Sequence, residues 1–165
     1  MILAVDVDYK NNDAYIAGVL FEKWSDEKET SKFKSTLNNI EEYESGKFYR
    51  RELPCIIKLI EEHNLKSEII VIDGFVWLDG KVKPGLGAYL YEALEDKVAI
   101  IGVAKKSFIG ISSKYKLYRG KSKKPLYVTS AGIELIEAMP NIEKMAGENR
   151  IPILLKIVDR LCRER

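Results

Sequence analysis

Apolar side chains open the chain in an unbroken run, Ile2-Leu3-Ala4-Val5, and the turn-forming Lys10-Asn11-Asn12-Asp13 follows soon after. This pattern predicts a strand over 2–7 and a second over 14–24 that returns beside it as a hairpin. Residues 28–37 alternate mostly polar side chains and fit a one-sided or edge strand. From about 49 to 63 the period changes: Leu53, Ile56, Ile57, Leu59 and Ile60 recur at helical spacing, and Asn64 supplies a stop. Pro54 has no amide donor and fits best in the first turn of that helix.

Residues 68–72, aliphatic from Ile69 on, and 98–103, interrupted only by Gly102, read as strands covered on both faces of a sheet. Between them Asp73-Gly74 ends the first run, a loop carries Gly80, Pro84, Gly85 and Gly87, and a helix is predicted through Tyr89, Leu90, Ala93 and Leu94. Two successive crossovers, through the first helix and then the second, require parallel strands with helices packed over them. The order β-β-β-α-β-α-β is that of the RNase H-like fold. The expected fold class is therefore α/β, with a mixed central sheet whose first three strands are antiparallel, parallel strands after them, and helices on both faces. A basic hairpin, a strand at 126–129, a helix over about 130–139 and a last helix after Pro152 through Ile153, Ile157, Val158 and Leu161 complete the chain. No repeat or interdomain linker interrupts residues 1–165, so one domain is expected.

Composition narrows the chemistry. With 46% hydrophobic and 32% charged residues the chain fits an ordinary globular domain rather than a disordered one. Its 165 residues suffice to bury a core without a disulfide or structural metal. Cys55 and Cys162 are far apart and in no CxxC pattern, so two reduced thiols are expected rather than a zinc site or thiol enzyme. His63 is the one histidine, which removes most hydrolase templates, and at the end of a polar helix it fits a solvated helix-terminal residue. No apolar run reaches the ~18 residues of a membrane span, and no basic region precedes the opening strand as in a signal peptide. A cytoplasmic protein is expected, with a monomer as the default.

The formal charge of +2 hides an asymmetry. Between Lys97 and Ile133 there is no acid, yet Lys97, Lys105, Lys106, Lys114, Lys116, Arg119, Lys121, Lys123 and Lys124 lie there. Subtracting these nine cations from +2 leaves −7 on the rest of the chain. Phe108, Tyr115, Tyr118 and Tyr127 are interleaved with the cations. A phosphate backbone with stackable bases selects this mixture, and a solvated basic hairpin also produces it.

Three carboxylates are out of place. Asp6 interrupts an apolar strand, where an unpaired charge costs several kcal/mol unless it is paired, neutralised or metal-bound. Asp73 stands at the carboxyl end of the central strand, where open α/β sheets place their sites. Glu52 precedes Ile56 by four residues and Leu59 by seven, which puts it on the helix face turned to the sheet. Each has a plainer explanation: Asp6 as a turn acid, Glu52 paired with Arg50 or Arg51, Asp73 starting the turn at Gly74. Together, in a fold that brings them to one point, they form a divalent-metal site suited to phosphodiester hydrolysis.

At these residues the chain resembles the endonuclease V family, inosine-directed nucleases of the RNase H-like fold. Ala4-Val5-Asp6-Val7-Asp8-Tyr9 resembles its first-strand aspartate motif, Tyr43-Glu44-Ser45-Gly46 with Arg51-Glu52 its wedge-tyrosine and glutamate segment, and Val71-Ile72-Asp73-Gly74 its second aspartate. Ile101-Gly102-Val103-Ala104-Lys105 is similar to its lysine motif, Lys124-Pro125-Leu126-Tyr127-Val128-Thr129 to the strand that follows, and Pro152 with Val158-Asp159-Arg160-Leu161 to its last helix. The resemblance implies that Asp6, Glu52 and Asp73 hold Mg²⁺, or Mn²⁺ in its place, and that Lys105 sits beside the scissile phosphate. It implies that Tyr43 wedges into the strand beside a flipped inosine and that Gly85 and Gly87 let backbone approach that base. Lys106, Lys114, Lys116 and Arg119 would then contact the nucleic acid.

The chain departs from the family in three places. The proline-rich wedge is reduced to Glu42-Tyr43-Glu44-Ser45, no histidine follows Gly132, and Leu78-Asp79-Gly80 and Tyr89 stand where the family has histidines after its second aspartate. Asp159 is either a fourth carboxylate near the metal or an ordinary i, i+4 partner of Arg163, the pair being favoured. The function expected is Mg²⁺-dependent cleavage of DNA or RNA 3′ to inosine, with single-stranded substrates preferred. An RNase H-like module that binds nucleic acid without cutting it is the alternative. An enzyme acting on a small phosphorylated compound fits the basic aromatic strip poorly. Whether DNA or RNA is the substrate depends on contacts to the 2′-hydroxyl, which no motif here reveals.

Overall fold

A computed structural model of the protein describes residues 1–40 and 49–164. The elements run β1 Ile2–Lys10, β2 Asp13–Phe21, β3 Ser31–Leu37, α1 Tyr49–Glu62, β4 Ile69–Asp73, α2 Leu86–Ala93, β5 Ala99–Ala104, a single 3₁₀ turn at Ser113–Tyr115, β6 Lys116–Leu117, β7 Leu126–Ala131, α3 Leu135–Glu143 and α4 Ile153–Arg163. Seven strands form one sheet in the order β3-β2-β1-β4-β5-β7-β6. β1 and β2 pair antiparallel from Ile2↔Phe21 to Lys10↔Asp13, closed by Asn11 and Asn12 at φ 54° and 66°, the left-handed pair that a two-residue hairpin turn requires. β4 lies parallel to β1 and to β5, as their double-sided apolar runs predict. β7 and β6 close the sheet antiparallel.

Side chains alternate between two cores. Ala4, Val19, Val71, Ile101 and Val128 face α3 and α4, meeting Ala138, Ile142, Leu154 and Val158. Leu3, Val5, Ile16, Ile70, Ile72 and Ile100 face α1 and α2, meeting Ile56, Leu59 and Leu90. Helices thus cover both faces, and none of those described is long and apolar enough to cross a membrane.

Two local expectations are corrected. Pro54 lies inside α1 rather than in its first turn, because the helix already begins at Tyr49. α3 starts at Leu135, not near 130: Ser130 and Ala131 still pair with Ile101 and Ile100, and Gly132 (φ 77°) then turns the chain.

Arg119 is also corrected. It is only 5% exposed, and its guanidinium donates to five carbonyls: Asn149 and Met145 (both 2.6 Å), Gly147 (3.2 Å), Arg150 (3.3 Å) and Glu143 (3.4 Å). It ties β6 to the turn between α3 and α4 and does not belong to the exposed basic strip. Arg119→Ala leaves these carbonyls unsatisfied and should destabilise the protein by about 3 kcal/mol. A lowered Tm checks this; an unchanged Tm with weakened nucleic-acid binding would return Arg119 to the strip.

Candidate active site

The site forms where two parallel strands part. Pairing of β1 with β4 ends at Ala4↔Val71, and two residues further along each strand stand Asp6 and Asp73. Both carboxylates therefore flank the opening between the strand ends. On the α1 side, Asp6, Asp73 and Glu52 line one small recess with Val5, Val7, Ile56, Ile72 and Leu86. The i, i+4 step from Glu52 to buried Ile56 brings Glu52 there, as the helical spacing predicts. On the opposite face, Asp6, Asp73 and Lys105 line a second recess with Ile151, Leu155 and Val158. Lys105 Nζ lies 3.3 Å from Asp73 Oδ2, and both side chains are 40% exposed. Asp6 and Asp73 thus border both recesses, with Glu52 on one side and Lys105 on the other.

Their charges are strained by one another. The Asp6 carboxyl is pushed up to about 8, first by burial, then by the charge of Asp73 and by Asp159, against one hydrogen bond from the Val7 amide (2.9 Å). Glu52 is also pushed up to about 8, by burial and then by Asp6 and Asp73, with Arg51 opposing. Arg51 in turn stacks on Tyr9, its guanidinium carbon 3.6 Å from the ring centroid.

α4 adds a fourth acid. Candidate ligand atoms of Asp6, Asp159 and Cys162 all lie within 4.8 Å of one another. Asp159 still bonds Arg163 Nε at 3.2 Å, as its i, i+4 spacing predicts, but it reaches Asp6 as well. The Cys162 thiol, pushed up to about 12 by burial and then by Asp6 and Asp159, stays protonated at neutral pH. The usable donors are therefore carboxylate oxygens, the set a hard divalent cation prefers.

The remaining candidates divide. Lys106 and Lys114 are exposed and Lys116, in β6, is half-buried. Gly85 and Gly87 are buried, and their close approach is to the chain itself: a Cβ on Gly85 would lie 2.8 Å from Phe75 O, and one on Gly87 2.8 Å from Val76 Cα. They seat the loop after Asp73 rather than presenting open backbone to a base. Tyr43 lies outside the described residues. His63 follows the last residue of α1, its Nε2 2.8 Å from Lys34 O, well away from the acids in the fold. Arg150 had no signal in the sequence. It donates to the carbonyls of Lys105, Lys124 (3.1 Å) and Pro125 (2.8 Å), pinning the backbone that carries Lys105.

A family model described as Endonuclease V matches residues 1–136, which contain Asp6, Glu52, Asp73 and Lys105. The chain belongs to the endonuclease V family. The match stops before α4 and Asp159. Among solved structures, endonuclease V of Ciona intestinalis, bound to a 24mer DNA containing an inosine followed by a ribo-adenosine, is similar at 19% identity and TM-score 0.77, over 99% of this chain and 84% of that one. Human endonuclease V is similar at 20% identity and TM-score 0.73, over 99% and 82%. Argonaute of Marinitoga piezophila shares the RNase H-like fold at 14% identity and TM-score 0.53, over 98% of this chain and 29% of that one. No curated protein matches the chain.

Without metal, the raised Asp6 and Glu52 make stability depend on pH. A carboxyl whose folded pKa exceeds its unfolded value favours the folded state fully below the unfolded pKa and loses that contribution as pH rises through the folded value. From ordinary values of 3.8 and 4.5 to about 8, the window spans pH 4 to 8. In chelator, Tm should therefore fall between pH 5 and pH 9, and Asp6→Asn should flatten the fall. A Tm that rises across this range in the parent would contradict the burial of these acids.

Proposed function

We propose that this member of the endonuclease V family is a divalent-cation-dependent endonuclease that hydrolyses a phosphodiester bond of DNA or RNA 3′ to inosine. The observation that carries the proposal is the convergence of Asp6, Glu52 and Asp73 at the parting of β1 and β4, with the Asp6 and Glu52 carboxyls held far above their ordinary range. Acids that repel one another in a part-buried site are stabilised by a cation, and oxygen donors favour Mg²⁺, with Mn²⁺ as a substitute. Asp6, Glu52 and Asp73 would hold it, and Asp159 completes the acidic wall toward α4. The cation would make a water nucleophilic and offset charge on the departing 3′-oxygen.

The chain's own residues set the geometry. Attack on phosphorus breaks the bond to the 3′-oxygen, and negative charge grows on the phosphoryl oxygens as it does so. Lys105 Nζ, at the mouth of the site and anchored through its backbone by Arg150, places a fixed positive charge beside those oxygens. Lys106, Lys114 and Lys116 follow along the same acid-free segment and hold the phosphate backbone by charge.

The test is incubation of inosine-containing and normal single-stranded DNA and RNA with Mg²⁺, with Mn²⁺ and with chelator. Cleavage one side of inosine that chelator stops supports the proposal. Binding of all substrates with no cleavage under any condition would instead establish a nucleic-acid-binding module.

A further inference from the structure

We propose that Phe108, braced by Phe75 and bordered by Ile109, is a stacking platform for an unpaired nucleobase next to the scissile phosphate. The inference rests on the nuclease reading only for the word scissile; the platform itself is a binding site for single-stranded nucleic acid.

Placement comes first. Phe75 is two residues beyond Asp73 and Phe108 three beyond Lys105, so the two segments that leave the Asp73–Lys105 contact carry one ring each. The loop that carries Phe75 is locked over β5: Val76 N donates to Thr129 Oγ1 at 2.9 Å, and Gly102 leaves the space that this loop crosses, since a Cβ there would lie 2.5 Å from Gly74 O. The Phe75 ring packs beside that of buried Tyr127, with centroids 6.3 Å apart. Phe108 meets Phe75 edge-on at 6.4 Å and is only part-buried. Tyr127, Phe75 and Phe108 thus form a row of rings, the first buried and the other two part-buried.

The surroundings identify the occupant. Ile109 is 94% exposed and Val82 74%, apolar side chains left in water on the two loops that meet at Phe108. Around them stand exposed Lys81, Lys83, Lys105 and Lys106, and Lys83 Nζ lies 5.1 Å from the Phe108 centroid. Asp73 faces Lys105 at 3.3 Å, and Asp79 turns one carboxylate oxygen to its own loop, accepting the amides of Lys81, Val82 and Lys83 at 2.9–3.0 Å. Those amides shape the loop and hold the Asp79 carboxyl down at about 2, so its negative charge stays and is offset by the lysines around it. An aromatic face with an apolar border, ringed by cations beside a phosphate site, fits a base whose own phosphates meet the lysines. An acidic protein segment would meet the lysines but offer no flat face to Phe108. The base must be unpaired, because only then is its face free.

The test is a binding scan in chelator, where nothing is cut. A series of labelled single-stranded DNA oligonucleotides, each with one abasic residue moved along the strand, is titrated with the parent and with Phe108→Ala. On the intact strand Phe108→Ala should weaken binding by about tenfold. At one abasic position the parent should lose a similar factor and Phe108→Ala should lose nothing more, because base and ring form a single contact. Ile109→Glu, at a side chain almost wholly in solvent, should weaken binding of the intact strand too and guards against misfolding of the first variant. Losses that add at every position, or unchanged binding by both variants, would overturn the platform. A scan that succeeds with a protein that cuts nothing in Mg²⁺ would refute the nuclease proposal and leave the platform standing.

Discussion

Asp73→Asn is expected to abolish Mg²⁺-dependent cleavage while leaving nucleic-acid binding in chelator nearly intact. Asp73 closes β4 at the point where β1 turns away, and it borders both recesses of the site. The amide keeps the size and shape of the side chain but removes the charge that faces Lys105 and, under the proposal, one of the cation's oxygen donors. Losing only an outer-shell partner at a metal site typically costs 10–100-fold, so losing a ligand should cost more than about a hundredfold. Affinity should persist, because the lysines of the acid-free segment are expected to supply most of it. The measurement pairs single-turnover cleavage in Mg²⁺ with binding in chelator. Equal cleavage by variant and parent would remove Asp73 from the site.

Lys105→Ala is expected to slow cleavage of single-stranded and duplex inosine substrates alike, by about a hundredfold, the scale of removing one preorganised charge or donor from a transition state. Its Nζ stands at the mouth of the acidic site whichever form of substrate arrives. Tyr43→Ala should behave differently, lowering cleavage of duplex more than of single strands. A wedge is needed only where a base must be taken out of its stack, at a cost of a few kcal/mol. Glu42 and Glu44 flank Tyr43 and no histidine follows Gly132, so discrimination of inosine from adenine should be weaker than in a family member with both features. Single-turnover rates on matched duplex and single-strand substrates decide both points. Equal loss on the two substrates for Tyr43→Ala would dispose of the wedge, and a parent strictly selective for duplex inosine would show that these departures carry no cost.

The parts of the site that the sequence displays are those where a residue violates its local environment. Asp6 directly after Ile2-Leu3-Ala4-Val5 and Asp73 at the end of an aliphatic run stand out against their apolar surroundings, and Glu52 follows from helical spacing to Ile56. The sheet's parallel centre is visible for a related reason, since strands covered on both faces have no polar alternation. Residues that satisfy a local rule conceal their distant contacts. Asp159 makes the expected pair with Arg163, and nothing local shows that α4 also lays it beside Asp6. Arg119 reads like its neighbouring cations because its burial depends on a turn more than 20 residues away, from Glu143 to Arg150. Arg150 is hidden in the same way: its partners are backbone carbonyls, which every residue has.

The proposal that Asp6, Glu52 and Asp73 bind a divalent cation is tested most directly without any substrate. Thermal unfolding of the parent and of Asp6→Asn is followed at pH 8 in chelator and then with Mg²⁺ or Mn²⁺ added. A cation that binds the folded protein raises its Tm by mass action, and more so where it relieves repulsion among buried acids. The parent should gain stability on addition of either ion, and Asp6→Asn should gain less. Identical shifts in the two proteins, or no shift in the parent, would contradict the metal site.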